Sequence, residues 1–153
     1  MSPVESFAQL AAHLTAERRT HIWKRLCDNQ IAWLTTVRPD GRPDTVAVWY
    51  HLLDDGDIIV YSEPKKIKLR NIADNPHVTL VLDETDLGRD VIRLEGTARF
   101  DASVPPLDEL PGYVAKYAER IAVLFGTPRA FAEMFAEPIR IAPTRLRSID
   151  SDI

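Results

Sequence analysis

The sequence predicts a mainly β, α+β fold in which six antiparallel strands close into a barrel-like sheet with a few short helices around it. Three observations carry this expectation. Runs rich in β-branched and aromatic residues are separated by turn sequences such as Asp40-Gly41 and Asp54-Asp55-Gly56-Asp57. The stretch Asp90 to Asp101 alternates apolar and polar residues with a period of two. Helical patterns are confined to a few short stretches between these runs.

Taken in order, Met1 to Leu14 reads as a loose N-terminal segment. Thr15 is placed to cap a helix through Arg18, Ile22, Trp23 and Leu26, whose apolar positions share one face, and the helix should end near Asp28-Asn29. Gln30 to Arg38 and Thr45 to Leu53 flank Pro39-Asp40-Gly41-Arg42-Pro43, a hairpin turn. With Ile58 to Tyr61 they make a three-stranded antiparallel meander. A helix from Lys65 to Asp74 follows, stopped at Asn75-Pro76 because the residue before a proline is pushed out of helical geometry. His77 to Asp83 and Asp90 to Asp101 are the fourth and fifth strands, separated by a polar loop holding Gly88. In the fifth, Ile92, Leu94, Gly96, Ala98 and Phe100 share the core face, and Arg93, Glu95, Thr97 and Arg99 the other. Pro105-Pro106 mark an irregular stretch before helices over Pro111 to Phe125, closed by Gly126, and Pro128 to Ala136. Pro138 to Ile149 is the last strand.

With 153 residues the chain is expected to form one domain over residues 1–153 with one sizeable core. A content of 45% hydrophobic and 27% charged residues is that of an ordinary globular protein, and a net charge of −4 argues against general nucleic-acid binding. Cys27 is the only cysteine, which excludes an intramolecular disulfide and a Cys-rich metal site and points to a reducing, cytoplasmic compartment. The first residues lack a basic start followed by an apolar core, and no apolar run approaches the roughly 20 residues a membrane span needs. Neither a membrane nor a nucleic acid is an expected partner.

The segment Tyr61-Ser62-Glu63-Pro64-Lys65-Lys66-Ile67-Lys68 concentrates the functional signal. A helix N-terminus bears partial positive charge and free N–H groups, so lysines there cost roughly 0.3–1 kcal/mol each at low salt unless an anion neutralises them. A phosphate at that end would meet free amides and ammonium groups together, which points to a phosphate-bearing cofactor; the plainer alternative is a solvated basic turn. The strand Thr45 to His51 precedes this helix, and the small Ala47 would let a flat ring approach its backbone, with exposed N–H and C=O groups meeting the ring's polar edge. The competing reading places Trp49 and Tyr50 in a packed core or subunit contact. His13, His21, His51 and His77 show no metal-ligand spacing, and there is no nucleophile elbow, phosphate loop or dinucleotide fingerprint. The acidic pairs Asp54-Asp55 and Asp83-Glu84 fall in turns and read as solvated. No catalytic side chain is visible, so the chemistry must come from a bound cofactor.

Several stretches resemble the pyridoxamine 5′-phosphate oxidase-like family, in particular its branch of deazaflavin-dependent oxidoreductases that use coenzyme F420. The strongest is Ser62-x-Pro64-x-Lys66-x-Lys68-x-Arg70-Asn71-Ile72-x-x-Asn75-Pro76-x-Val78. Leu34 to Pro43, Val48-Trp49-Tyr50, Leu94 to Ala98 and Ile139 to Arg147 are similar too, so the resemblance covers most of Gln30 to Arg147. It implies a six-stranded split β-barrel homodimer of the FMN-binding kind, with cofactor sites at the subunit interface. Lys68 would contact the phosphate with Lys65 and Lys66 as helpers, Tyr61 and Ser62 would lie near the phosphate arm, and Val46, Ala47, Val48 and Trp49 would lie along the ring. Lys66 and Lys68 point roughly 200° apart on a helix, so all three lysines cannot grip one group equally.

The chain departs from the flavin-mononucleotide oxidases of this family. Their paired Arg-Lys is Ile67-Lys68 here, and their substrate-binding C-terminal segment is not evident after Arg147. The resemblance therefore implies a reductase passing a hydride from reduced F420 to a planar conjugated acceptor such as a quinone, with a proton from solvent or an ordered side chain. The alternatives are a flavoprotein oxidase or reductase holding FMN, or a cofactor- or haem-binding protein without turnover, for which His51 and His77 are the axial candidates.

Overall fold

A computed structural model describes residues 2–149. The described chain runs α1 (Pro3–Leu10), α2 (Ala16–Asp28), β1 (Ala32–Val37), β2 (Pro43–Val48), β3 (His51–Leu52), β4 (Ile58–Ser62), α3 (Ile67–Asp74), β5 (His77–Leu82) and β6 (Val91–Phe100). A short 3-10 turn (Leu107–Glu109), α4 (Pro111–Leu124), α5 (Pro128–Met134) and β7 (Glu137–Ile149) complete it. The fold is α+β, with all strands in one antiparallel seven-stranded sheet of order β2-β1-β5-β6-β7-β4-β3.

That order forces the sheet to curl. β2 and β3 are neighbours in sequence yet occupy opposite edges, joined only by Trp49 and Tyr50. Three Cα steps reach at most roughly 11 Å, whereas the outer strands of a flat seven-stranded sheet would lie roughly 29 Å apart at about 4.8 Å per strand. The two edges must therefore come together, which gives a half-barrel.

The concave side holds the main core, with Leu34, Leu80, Ile92, Leu94, Ile139 and Ile141 from the strands meeting Ile22 and Leu26 of α2 and Phe7 of α1. A second cluster lies outside the barrel, where Ile59 and Tyr61 of β4 meet Leu107, Tyr113, Tyr117, Ile121 and Phe131. β4 is thus buried on both faces, with Ile58 and Val60 turned to the first core and Ile59 and Tyr61 to the second. This is why its sequence is a continuous apolar run rather than an alternating one. A register shift between Glu95 and Gly96 bends β6 against β7, and a Cβ at Gly96 would stand 2.6 Å from the Ala142 carbonyl oxygen.

Several expectations are corrected. The sheet has seven strands, not six, because Thr45 to Leu53 breaks at Trp49-Tyr50 into β2 and β3. The meander also fails, since β2 pairs with β1 alone while β3 and β4 pair with each other on the opposite side. Residues 3–10 are helical rather than loose: Pro3 opens the helix, the Ser2 hydroxyl accepts the Glu5 N–H (3.2 Å), and the Ser2 N–H donates to the Glu5 carboxylate (2.7 Å). Phe100 is 54% exposed instead of core-facing, because β6 runs past the edge of the core after Ala98. The helix expected from Lys65 begins at Ile67, with Lys65 at φ 65° ahead of it. Among the described residues no helix is long and apolar enough to cross a membrane.

Candidate functional site

Outside the barrel, where the chain passes from β2 to β3, lies a cavity of about 250 Å³. Ala47, Val48 and Trp49 form one wall, Tyr61 of β4 and Tyr113 of α4 another, and Phe125, Phe131 and Phe135 around α5 a third. Lys68 of α3 is the one charged residue of the lining.

The rings of the aromatic wall pack on one another. Trp49 stacks on Tyr117 at 4.6 Å with 8° between planes and leans on Phe131 at 5.1 Å, and Phe131 meets Phe125 at 4.2 Å. Tyr61 and Tyr113 meet edge to face at 5.4 Å, and the Tyr61 hydroxyl donates to the Pro105 carbonyl. Burial raises both phenol pKa values well above the usual range, so each stays protonated.

Lys68 differs from its neighbours. It lies in the first turn of α3, which has no side-chain N-cap bond and no acidic residue in that turn, so its leading amides are free of side-chain partners. The helix is fixed to the sheet by Asn71, whose buried amide donates to the Thr36 hydroxyl of β1 at 2.9 Å. Lys68 makes no ion pair among the described residues, whereas Lys66 is 2.9 Å from Glu63. Partial burial lowers the Lys68 pKa and nearby Lys66 adds to the effect, with Glu63 and Asp44 opposing it. A half-buried ammonium without an ion pair among the described residues, beside helix amides that lack side-chain partners, has the chemistry that suits an anion.

Of the nine residues expected at the site, Lys68, Tyr61, Ala47, Val48 and Trp49 line this one cavity. The other four do not. Lys66 is engaged with Glu63 on the surface, and Lys65 is exposed at its left-handed backbone position. Ser62 is buried with its hydroxyl donating to the Glu63 carbonyl at 2.8 Å, and Val46, on the face of β2 opposite to Ala47, packs on the main core. Tyr113, Phe125, Phe131 and Phe135 were not anticipated as lining. Their signal was the density of aromatics between Tyr113 and Phe135, read in the sequence only as parts of two helices.

The histidines stand elsewhere. The half-buried His51 ring packs against Tyr113 at 6.2 Å, and His77 is exposed at the start of β5, so neither lines the aromatic cavity. Among the described residues no cluster of three His, Cys, Asp or Glu could hold a metal ion. Three larger clefts exist among the described residues, of about 610, 520 and 370 Å³. In the first Lys24 pairs with Asp28, Arg25 pairs with Asp90 at 2.5 Å, and Arg120 donates to the Gln30 amide oxygen. The second is an open, mixed groove between α1 and β7.

Residues 20–147 match the family described as pyridoxamine 5′-phosphate oxidase. The pyridoxine/pyridoxamine 5′-phosphate oxidase of Bacteroides thetaiotaomicron is 40% identical over 88 residues, which make up 56% of this chain and 39% of that protein. The chain thus spans well under half of that relative. Among solved structures, a conserved hypothetical protein from Mycobacterium tuberculosis shares the fold at a TM-score of 0.68 and 23% identity, over 90% of this chain and 86% of that one. A protein described as an F420 reductase aligns at a TM-score of 0.57 and 25% identity, over 81% of this chain and 94% of that one.

Proposed function

This chain belongs to the pyridoxamine 5′-phosphate oxidase family, and from that premise we propose that it is an oxidoreductase holding a phosphate-bearing deazaflavin, coenzyme F420. The observation that carries this reading is Lys68, a half-buried cation without an ion pair among the described residues, set in a cavity whose other lining is uncharged and mostly aromatic. Only a ligand that is both flat and anionic uses both features. The F420 reductase of similar fold supports the deazaflavin, and the family match itself supports FMN as the second reading.

In this reading Lys68 and the first amides of α3 hold the phosphate, and the small Ala47 lets the ring approach the backbone of β2, whose outer edge has no partner strand among the described residues. Trp49, Tyr113, Phe125 and Phe131 exclude water from the ring. When bound and reduced, the cofactor supplies a hydride for a planar conjugated acceptor such as a quinone. The Tyr61 proton is committed to the Pro105 carbonyl, so the proton that completes the transfer comes from solvent. Lys65 and Lys66 contribute long-range attraction from the surface.

The cavity is smaller than the roughly 300–1,000 Å³ of sites that enclose a drug-sized ligand. It takes the ring and leaves the rest of the cofactor outside the single chain. A second copy laid along β2 and the outward faces of Trp33, Thr35 and Thr45 would cover that remainder, giving a homodimer with cofactor at the interface. The test is a pair of fluorescence titrations of cofactor-free protein with oxidised F420 and with FMN at moderate salt. Saturable micromolar binding of F420 alone supports the reductase. Preference for FMN selects the second reading, and binding of neither refutes both.

A further inference from the structure

The backbone of Tyr50 is served by a helix rather than by a strand. It sits where the sheet edges β2 and β3 meet, so neither edge can continue its ladder through it. Two consecutive residues of α4 supply the missing partners. The Tyr50 N–H donates to the Tyr117 hydroxyl at 2.9 Å, and the Tyr50 carbonyl accepts from the Lys116 ammonium, also at 2.9 Å. The Tyr117 oxygen lies 2.7 Å from the Gln30 carbonyl and 2.9 Å from the Tyr50 carbonyl. A phenol has one proton to give, so with Lys116 serving Tyr50 it is free to serve Gln30. Every group then has a partner.

The same two side chains brace the surrounding rings. The Lys116 ammonium lies 3.8 Å from the centre of the Tyr50 ring, whose own hydroxyl is anchored on the Leu26 carbonyl at 2.7 Å. The Tyr117 ring carries the stacked Trp49 indole, the residue immediately before Tyr50 and a wall of the aromatic cavity. The first turn of α4 seats directly on His51 on the far side of the crossing, so closely that a Cβ at Gly112 would be 2.7 Å from the His51 ring.

We propose that Lys116 and Tyr117 are positioning residues for the aromatic cavity: by holding the backbone of Tyr50 they fix the Trp49 indole in the wall against which a planar ligand lies. Neither residue lines the cavity, and they act through Trp49. Without Lys116, the Tyr50 and Gln30 carbonyls compete for one phenol proton, and a buried carbonyl loses its partner. The chain at the crossing then loosens, and the indole with it.

The test uses the full chain with Trp23 and Trp33 changed to phenylalanine, leaving Trp49 as the only indole. Acrylamide quenching of ligand-free protein reports whether the indole is held, and titration with FMN and with F420 reports the cavity. Lys116→Met is expected to raise quenching and to weaken binding of whichever cofactor the parent takes by about tenfold. Lys116→Arg, which still donates to the Tyr50 carbonyl, is expected to restore both. If Lys116→Met does not fold, Tyr117→Phe, which keeps the stacking ring and loses the hydroxyl, is expected to raise quenching in the same way. Quenching at the parent value in the variant that folds overturns the proposal, as does a rise in Lys116→Arg equal to that in Lys116→Met. The affinity arm rests on the proposed function, but the quenching arm does not. Failure of the parent to bind either cofactor would therefore sink the functional reading while quenching still decides the positioning role.

Discussion

Replacing Lys68 with alanine separates an anion-binding lysine from a solvated one. The ammonium is half-buried and its pKa is lowered by that burial, so the folded protein bears a cost for keeping it charged. It makes no ion pair among the described residues, and it lies in the first turn of α3, where the helix dipole opposes a cation by roughly 0.3–1 kcal/mol. Lys68→Ala should therefore leave the unfolding midpoint unchanged or slightly raised. A hydrogen bond to a charged group contributes about 1.5–3 kcal/mol, so affinity for F420 or FMN should fall roughly 10- to 150-fold. Lys66→Ala, which loses only an exposed pair with Glu63, should change affinity by less than about threefold. Isothermal titration calorimetry of the three proteins, with thermal melts alongside, reads both quantities. Equal affinities for Lys68→Ala and the parent, or equal losses for Lys66→Ala and Lys68→Ala, would remove Lys68 from the anion site.

The remaining predictions concern the scaffold. Gly96→Ala places a Cβ against the Ala142 carbonyl at 2.6 Å, a backbone atom that cannot rotate away, and should cost on the order of 2 kcal/mol in urea denaturation. Ser2→Ala removes the reciprocal cap of α1 and should cost about 1 kcal/mol, with faster amide exchange confined to residues 3–10. Burial holds Lys116 down to about 8, with Cys27 and Asp28 pulling the other way. Above that pH the folded chain has lost a proton that the unfolded chain keeps up to the ordinary lysine range. Stability of the parent relative to Lys116→Met should therefore rise between about pH 8 and 10 in denaturation curves, and a flat difference would contradict the assignment.

Local signals carried most of the fold. Thr15 caps α2 through the Arg18 N–H, Asn75-Pro76 ends α3, and the alternation from Ile92 to Ala98 matches the buried face of β6. Ser2-Pro3-Val4-Glu5 was an equally plain helix start, and reading residues 1–14 as loose overlooked it. The break at Trp49-Tyr50 was not legible, because Thr45-Val46-Ala47-Val48-Trp49-Tyr50-His51 contains no glycine or proline. What interrupts it is tertiary, namely the closing of the sheet and the side chains that α4 offers to Tyr50. The site divides in the same way. Lys68 and the Ala47 to Trp49 strand stood out from charge placement and side-chain size. The Phe125, Phe131 and Phe135 wall depends on how α4 and α5 fold back onto β4, which no local spacing encodes.

The central claim is that one ligand, flat at one end and phosphorylated at the other, uses the aromatic cavity and Lys68 together. A crystal structure of the protein with F420, or with FMN if that binds instead, tests it directly. The account predicts the tricyclic ring against Ala47, Val48 and Trp49, with a phosphate oxygen within hydrogen-bonding distance of Lys68 Nζ. A bound cofactor whose phosphate lies away from Lys68, or whose ring lies outside the aromatic cavity, would contradict it.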